Sequence, residues 1–314
     1  MSAGIAAAAA AIGRARAAQS APLPDQTRLS QASQLPQRRP AGAAAADSGP
    51  AAGSPALGVA LGSGSVHGLA HLGVLRVFRS EGLRPGVIAG TSAGAIIGAL
   101  WAAGMEQDAI ESTALELDWQ GIGSLTWPTR GLMTNAPLQR RIEQAVGERR
   151  LEALPTTFGA VATNVVDGSR VLLRKGRVGP AVGASSSIPV LFEPVRIGGV
   201  ELFDGSLTEP VPVDSAHEMG ADFVVAVDVA YRPHDARPKG VADMAFQMMH
   251  IMINALINEQ IGRAEFVVRI ELHHLMRRGW TAQTLIDEGE RAMRVALPEL
   301  YERLRQAGFR PPRR

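Results

Sequence analysis

An α/β fold with a mainly parallel central sheet, flanked by helices in three layers, is what this sequence predicts. Three observations predict it. Short continuous apolar runs recur along the chain, the first two end in Gly/Ser-rich turns, and each of those turns leads into apolar residues at helical spacing. Residues 56–62 (ALGVALG) are the first run. It meets the cluster Gly62-Ser63-Gly64-Ser65, after which Leu69, Leu72, Val74, Leu75 and Phe78 fall on a helical pattern. Gly86–Gly90 (GVIAG) is a second short strand, ended by Thr91-Ser92-Ala93-Gly94 and an apolar helix to about Ala103. Residues 105–150 are expected to form a helical insertion before the third strand. Phe158–Asn164 and Phe223–Val229 read as further buried strands, and Phe266–Glu271 as the last. No run of apolar residues is long enough for a transmembrane helix, and no internal repeat is found.

The flanks differ in texture. Residues 1–55 form a low-complexity tail rich in Ala, Ser, Pro, Gln and Gly, expected to be disordered. Residues 56–309 are the domain, and 310–314 a short basic tail. The apolar opening from Ile5 to Ile12 is followed, not preceded, by Arg14 and Arg16, which fits disorder better than a signal peptide. The net charge of +2 is unevenly placed. Without the two tails the body holds 24 basic and 28 acidic residues, which argues against a nucleic-acid partner. The absence of cysteine excludes disulfides, thiolate zinc sites, iron–sulfur clusters and Cys nucleophiles. It leaves the compartment open, with cytoplasm or membrane periphery expected.

Gly90-Thr91-Ser92-Ala93-Gly94 has the G-x-S-x-G pattern in a strand–turn–helix setting, where a sharp turn presents the serine and small neighbours let the helix pack closely. The helix N-terminus adds positive partial charge beside Ser92. The plain alternative is an N-cap serine. Gly62-Ser63-Gly64-Ser65-Val66-His67-Gly68 is a loop whose successive amides suit either a phosphate or an oxyanion. A dinucleotide site would need an acidic residue at the end of the second strand; here that strand ends in Gly90-Thr91-Ser92. Asp204-Gly205, after Leu202-Phe203, is by itself an ordinary turn.

Together these motifs resemble the patatin-like phospholipase family, whose members carry a Gly-rich oxyanion loop, a G-x-S-x-G elbow and a D-G-[AG] motif in that order. Gly68–Leu75, Ala162-Thr163-Asn164, Ala184–Pro189, Phe192-Glu193-Pro194 and Met219–Asp222 extend the likeness over roughly residues 57–230, with a bacterial flavour in the G-S-G form of the loop. The resemblance implies the three-layer patatin-like fold and a Ser–Asp dyad without histidine. Ser92 would be the nucleophile and Asp204 the base, with the amides of Gly64, Ser65 and Val66 as the oxyanion hole. Gly62, Gly68, Gly90, Gly94 and Gly205 would support the motifs. It implies a lipid ester substrate, phospholipid or lysophospholipid, with no metal and no organic cofactor, and peripheral contact with a membrane. A carboxylate at its reference pKa near ~3.9 is a weak base at neutral pH, so Asp204 has to be desolvated; Leu202, Phe203 and Leu207 are compatible with that.

Two positions depart from the family. His67 stands where members have Arg or Lys, and supplies positive charge only weakly near neutral pH. Ser63 and Ser65 replace glycines, so neither is expected at positive φ without strain. Three alternatives stay open: a lipid-binding regulatory protein of the same fold, an acyltransferase, and a triad hydrolase using His217 or His234. His273-His274 near Glu271 is a weak metal hint, since neighbours on a strand point to opposite faces. Residues 241–261 read as a helix with one polar stripe (Asp243, Gln247, His250, Asn254, Asn258). Its broad Met- and Ile-rich remainder is expected to be mostly buried, or else to meet lipid or a partner.

Overall fold

The computed structural model describes residues 55–117, 124–125, 131, 133–232 and 238–309; residues 1–54 and 310–314 of the two tails, and His234, lie outside these. The first unit is β1 (Leu57–Leu61), a 3₁₀ turn (Ser65–Leu69) and α1 (Ala70–Ser80). β2 (Val87–Thr91) and α2 (Ala93–Ala102) follow. In segment 105–150, α3 (Gln107–Glu116) and α4 (Ala136–Val146) bracket a short antiparallel pair, β3 (Ser124–Leu125) with β4 (Met133–Thr134). Next come β5 (Thr157–Asn164), β6 (Arg170–Leu173), α5 (Val178–Ser185), β7 (Val195–Ile197), β8 (Val200–Asp204) and α6 (Val213–Glu218). β9 (Phe223–Asp228), α7 (Val241–Gln260), β10 (Phe266–Arg269), α8 (His273–Arg278) and α9 (Ala282–Gln306) complete the fold.

The main sheet runs β10-β9-β1-β2-β5-β8-β7, with β6 also paired to β5. The first five are parallel; β6 and β8 run antiparallel to β5, and β7 antiparallel to β8. β1 sits between β9 and β2 and is buried on both faces, which is why its sequence is apolar throughout. Leu57, Val59 and Leu61 face one core with α1, α2 and α9, while Ala60 faces a second, smaller core with α6 and α7. Helix, sheet and helix make the three layers expected. β6 and β7 are short pieces that the apolar pattern did not mark. The β7–β8 hairpin turns on Gly198 and Gly199, both at positive φ, as a two-residue turn between right-twisted strands requires.

Two local expectations are corrected. β10 ends at Arg269 because its partner β9 ends at Asp228, whose carbonyl takes the last ladder bond from Ile270. His273 and His274 therefore open α8 instead of continuing a strand. α7 is not mostly buried: Met244, Met248, Ile251 and Met252 are exposed, and Ile253, Ile257 and their flanks make the buried line. Part of the polar stripe turns inward. Asn254 Nδ2 donates to the carbonyls of Tyr231 and His250, and the His250 ring meets Tyr231 edge-on at 5.0 Å.

Candidate active site

β2 stops at Thr91, and Ser92 alone makes the turn into α2, at φ 55° and ψ −120°. A non-glycine residue rarely occupies that region, and it persists only where its surroundings hold it. Here the Ser92 amide donates to Ser185 Oγ at 3.0 Å, and the Ser92 carbonyl accepts from Ala95 and Ile96 at 2.9 and 3.1 Å. The glycines make the approach possible. A Cβ on Gly94 would run into the Leu61 carbonyl, one on Gly90 into Ala95, and one on Gly68 into the Ala93 methyl. Strand end, elbow and Gly-rich loop are thus stacked with no room for side chains between them.

Asp204 ends β8, opposite Ala162 of β5. Its amide donates to the Ser187 carbonyl at 2.9 Å, and its carbonyl accepts from Thr163 Oγ1 at 2.9 Å. The side chain is 1% exposed. Oδ1 accepts from the Ser206 amide at 2.8 Å, while Oδ2 is buried and has no partner among the described residues. Burial pushes the carboxyl up to about 6, against the pull of the Ser206 amide and the neighbouring Ser92 hydroxyl, which favour the ionised form. Ser92 is close enough to exert that pull, but no Ser92–Asp204 hydrogen bond is formed. Gly205 lies against the Val161 carbonyl, where a Cβ would collide.

The loop is fixed from outside. Gly62 donates its amide to the Val227 carbonyl at 3.0 Å, and its own carbonyl accepts from His71 Nε2 at 2.8 Å; Ser63 donates to the Pro210 carbonyl at 2.8 Å. The amides of Gly64, Ser65 and Val66 have no partner among the described residues, and all three residues line one cavity with Ser92 and Asp204. A Cβ on Gly64 would meet the Val229 carbonyl and one on Gly62 that of Val227. Ser65 has φ 51°, so this serine does occupy the left-handed region that its side chain disfavours. Ser63 does not. The turn of the loop forces the conformation, and the bonds at Gly62 and Ser63 hold it.

His67 is not a solvated stand-in for a cation. It is 4% exposed, its Nδ1 lies 3.3 Å from the Val229 carbonyl, and its ring is 5.8 Å from Tyr231. Burial, with His250 nearby, lowers it to about 4, so it is neutral at pH 7 with Nδ1 as the donor. The cavity, about 330 Å³, holds hydroxyl, carboxylate and imidazole groups, with Tyr231 and His250 in the wall beside Met249 and Ile253.

The sequence assigned no place in the site to Asn135 or Tyr231, and it read Ser185 and Ser187 only as part of the family likeness and His250 only as part of a polar helix stripe. Asn135 Nδ2 donates to the Gly183 carbonyl and to Ser187 Oγ, both at 2.7 Å, bracing the segment that holds Ser92 and Asp204. The one available signal was the serine run 185–187, polar residues continuing a small, apolar helix. His217 stands elsewhere, with Nδ1 bonded to the Ala221 carbonyl at 2.9 Å. Among the described residues no group of three His, Asp or Glu is placed to hold a metal ion. No described helix is long and apolar enough to cross a membrane.

The family described as "Patatin-like phospholipase" matches residues 59–217. An NTE family protein of Mycobacterium tuberculosis is 32% identical over 203 residues, covering 62% of this chain and 56% of its own length. The lysophospholipase NTE1 of Saccharomyces cerevisiae is 29% identical over 180 residues, 55% of this chain and 11% of its own length. The chain thus spans about half or less of these curated relatives. The crystal structure of VipD from Legionella pneumophila superposes with a TM-score of 0.50 at 13% identity, covering 78% of this chain and 67% of that one, a likeness of fold.

Proposed function

Since the chain belongs to the patatin-like phospholipase family, we propose that it is a serine acyl hydrolase that cleaves the carboxyl esters of lipids through a Ser92–Asp204 dyad. The observation that carries this reading is the unpartnered Asp204 Oδ2, buried in the same cavity as a strained Ser92 and the free amides of Gly64, Ser65 and Val66. A carboxyl raised to about 6 is ionised at pH 7 and still basic enough to take a proton in a transition state.

The steps follow from these groups. Ser92 Oγ attacks the ester carbonyl carbon as its proton passes to Asp204 Oδ2. The carbonyl oxygen becomes an oxyanion held by the loop amides, one such donor being worth ~3 to 4 kcal/mol. Collapse expels the alcohol, which takes the proton from Asp204. Water then gives a proton to Asp204 and attacks the acyl-serine, releasing the acid and restoring both groups. The dyad supplies nucleophile and base, so the scheme calls for no metal or organic cofactor. Lysophospholipid as substrate has the support of the yeast relative's name. The exposed Met244, Met248, Ile251 and Met252 support peripheral contact with a lipid surface. With His67 neutral, that residue gives lipid phosphate no cationic anchor.

The test is covalent labelling. Purified protein and its Ser92→Ala variant are incubated with a fluorophosphonate probe and adduct mass is measured. Wild type is expected to gain one adduct, at Ser92, and the variant none; a folded wild type that takes up no probe overturns the reading.

A further inference from the structure

The cavity of Ser92 and Asp204 carries more hydroxyl than the proposed steps use. Ser63, Ser65 and Ser206 line it beside Ser92. None of their three hydroxyls is hydrogen-bonded among the described residues, and Ser63 and Ser206 engage through their amides alone. The Ser206 hydroxyl is near enough to Asp204 to favour its ionised form without bonding it. Ser63 and Ser206 are each only 7% exposed, yet neither hydroxyl oxygen is sealed from solvent, so both open into the cavity. A nearly buried hydroxyl without a partner is costly unless something else bonds it. Two of these serines also stand where the family pattern has no polar side chain. Ser65 replaces a glycine and holds φ 51°, an angle that glycine occupies without strain. Ser206 takes the third place of D-G-[AG].

His67 adds a group of fixed polarity. Its Nδ1 lies 3.3 Å from the Val229 carbonyl and so carries the hydrogen of the neutral ring, which leaves Nε2 a bare acceptor. Nε2 meets no donor among the described residues and is not sealed from solvent. Where the family has Arg or Lys, this cavity therefore offers a lone pair. A phosphate has only charged, lone-pair oxygens to set against it, and the carboxylate of Asp204 shares the same space; among the described residues no Lys or Arg lines the cavity. An alcohol hydroxyl can donate to His67 Nε2 and can bond the serines as donor or acceptor. From this geometry, and resting on the hydrolase reading above, we infer that Ser65, His67 and Ser206 form an alcohol subsite, which holds the free hydroxyls of a neutral polyol such as glycerol in the leaving half of the ester. A leaving alcohol that brings phosphate into the cavity is turned away. The substrate class so named is the acyl ester of a neutral polyol.

The experiment varies the alcohol at a constant acyl chain. First, kcat/KM is measured for methyl octanoate, octanoylglycerol and octanoylglycerol phosphate, with wild type, Ser206→Ala, Ser65→Gly and His67→Lys. Ratios between esters within one protein cancel what a substitution does to the reacting groups. Wild type is expected to favour octanoylglycerol over each of the other two on the order of tenfold. Ser206→Ala and Ser65→Gly, which restore the family's residues, are each expected to lower the glycerol-to-methyl ratio about fivefold. His67→Lys is expected to raise the phosphate ester against octanoylglycerol on the order of tenfold. Second, octylglycerol, an ether with no ester to cleave, is titrated by calorimetry into wild type and Ser206→Ala. One saturable site is expected, weakened about fivefold by the substitution. Ester turnover with no preference for octanoylglycerol, or with ratios unmoved in both serine variants, overturns the subsite and leaves the hydrolase reading standing. Ether binding that Ser206→Ala weakens, without turnover of any ester, upholds the subsite and removes the hydrolase reading alone.

Discussion

At Asp204 folding and chemistry pull in opposite directions. A carboxyl whose pKa is raised by burial destabilises the folded state at every pH above its unfolded value, and the effect is complete above about 6. Asp204→Asn is therefore expected to abolish turnover and yet raise stability at pH 7 by up to about 3 kcal/mol, read as a higher Tm alongside an ester assay. The same group sets an acid limb: kcat/KM in the wild type should rise with pH to a plateau, with its midpoint near 6. Ser65 makes a separate case. Its left-handed backbone costs about 1 to 2 kcal/mol for a residue with a side chain, so Ser65→Gly should raise the urea midpoint while the amide stays in place. What the sequence disclosed at this scale was motif chemistry. G-x-S-x-G and Asp-Gly are local patterns, and Ser92, Asp204 and the 64–66 amides do share one cavity. It did not disclose the strain at Ser65 and Val190 or the bracing by Ser185, because those depend on segments distant in the chain.

Among the elements, α1 and α9 meet at a very tight junction. Gly73 lies against the Ile286 carbonyl and Gly289 against the Ala70 carbonyl, so the two helices meet backbone to backbone, and a methyl group at either glycine has no space. Overpacking a dense interior costs roughly 1 to 3 kcal/mol, and more when backbone must move. Gly289→Ala, which raises helix propensity at an exposed site, should here lower the midpoint of denaturant unfolding by at least that much. Gly147→Ala, with open space around it, should lose only what its left-handed φ of 72° demands. The parallel core was legible because β1, β2, β5 and β9 are buried on both faces and so read as apolar runs. β6 and β7 are short, partly exposed pieces held by antiparallel neighbours, and carry no such run. Nothing in the sequence around Gly289 announces this contact, because its meaning lies in a helix about 210 residues away in sequence.

For the molecule as a whole, acid is the condition to which this structure is sensitive. His67 and His71 are buried and lowered to about 4, so the unfolded chain binds two protons that the folded one refuses. Their contribution to stability is complete above about 6.5 and is lost as pH falls toward 4, with Asp204 opposing them over part of that range. Thermal unfolding at pH 7 and pH 5 should show a lower Tm at pH 5, and His71→Gln should shrink the difference. α7, which walls the cavity of Ser92 and Asp204, has one more consequence. The chain has no cysteine, and four of its ten methionines, Met244, Met248, Met249 and Met252, lie on α7, three of them exposed. Among the described residues the exposed methionine sulfur atoms thus all lie on α7, the helix whose Met249, His250 and Ile253 wall the cavity of Ser92 and Asp204. Sulfoxide formation there turns hydrocarbon-like walls into polar, chiral ones. Oxidation is then expected to change the surface of α7 before any loss of fold, and methionine sulfoxide reductases would reverse it.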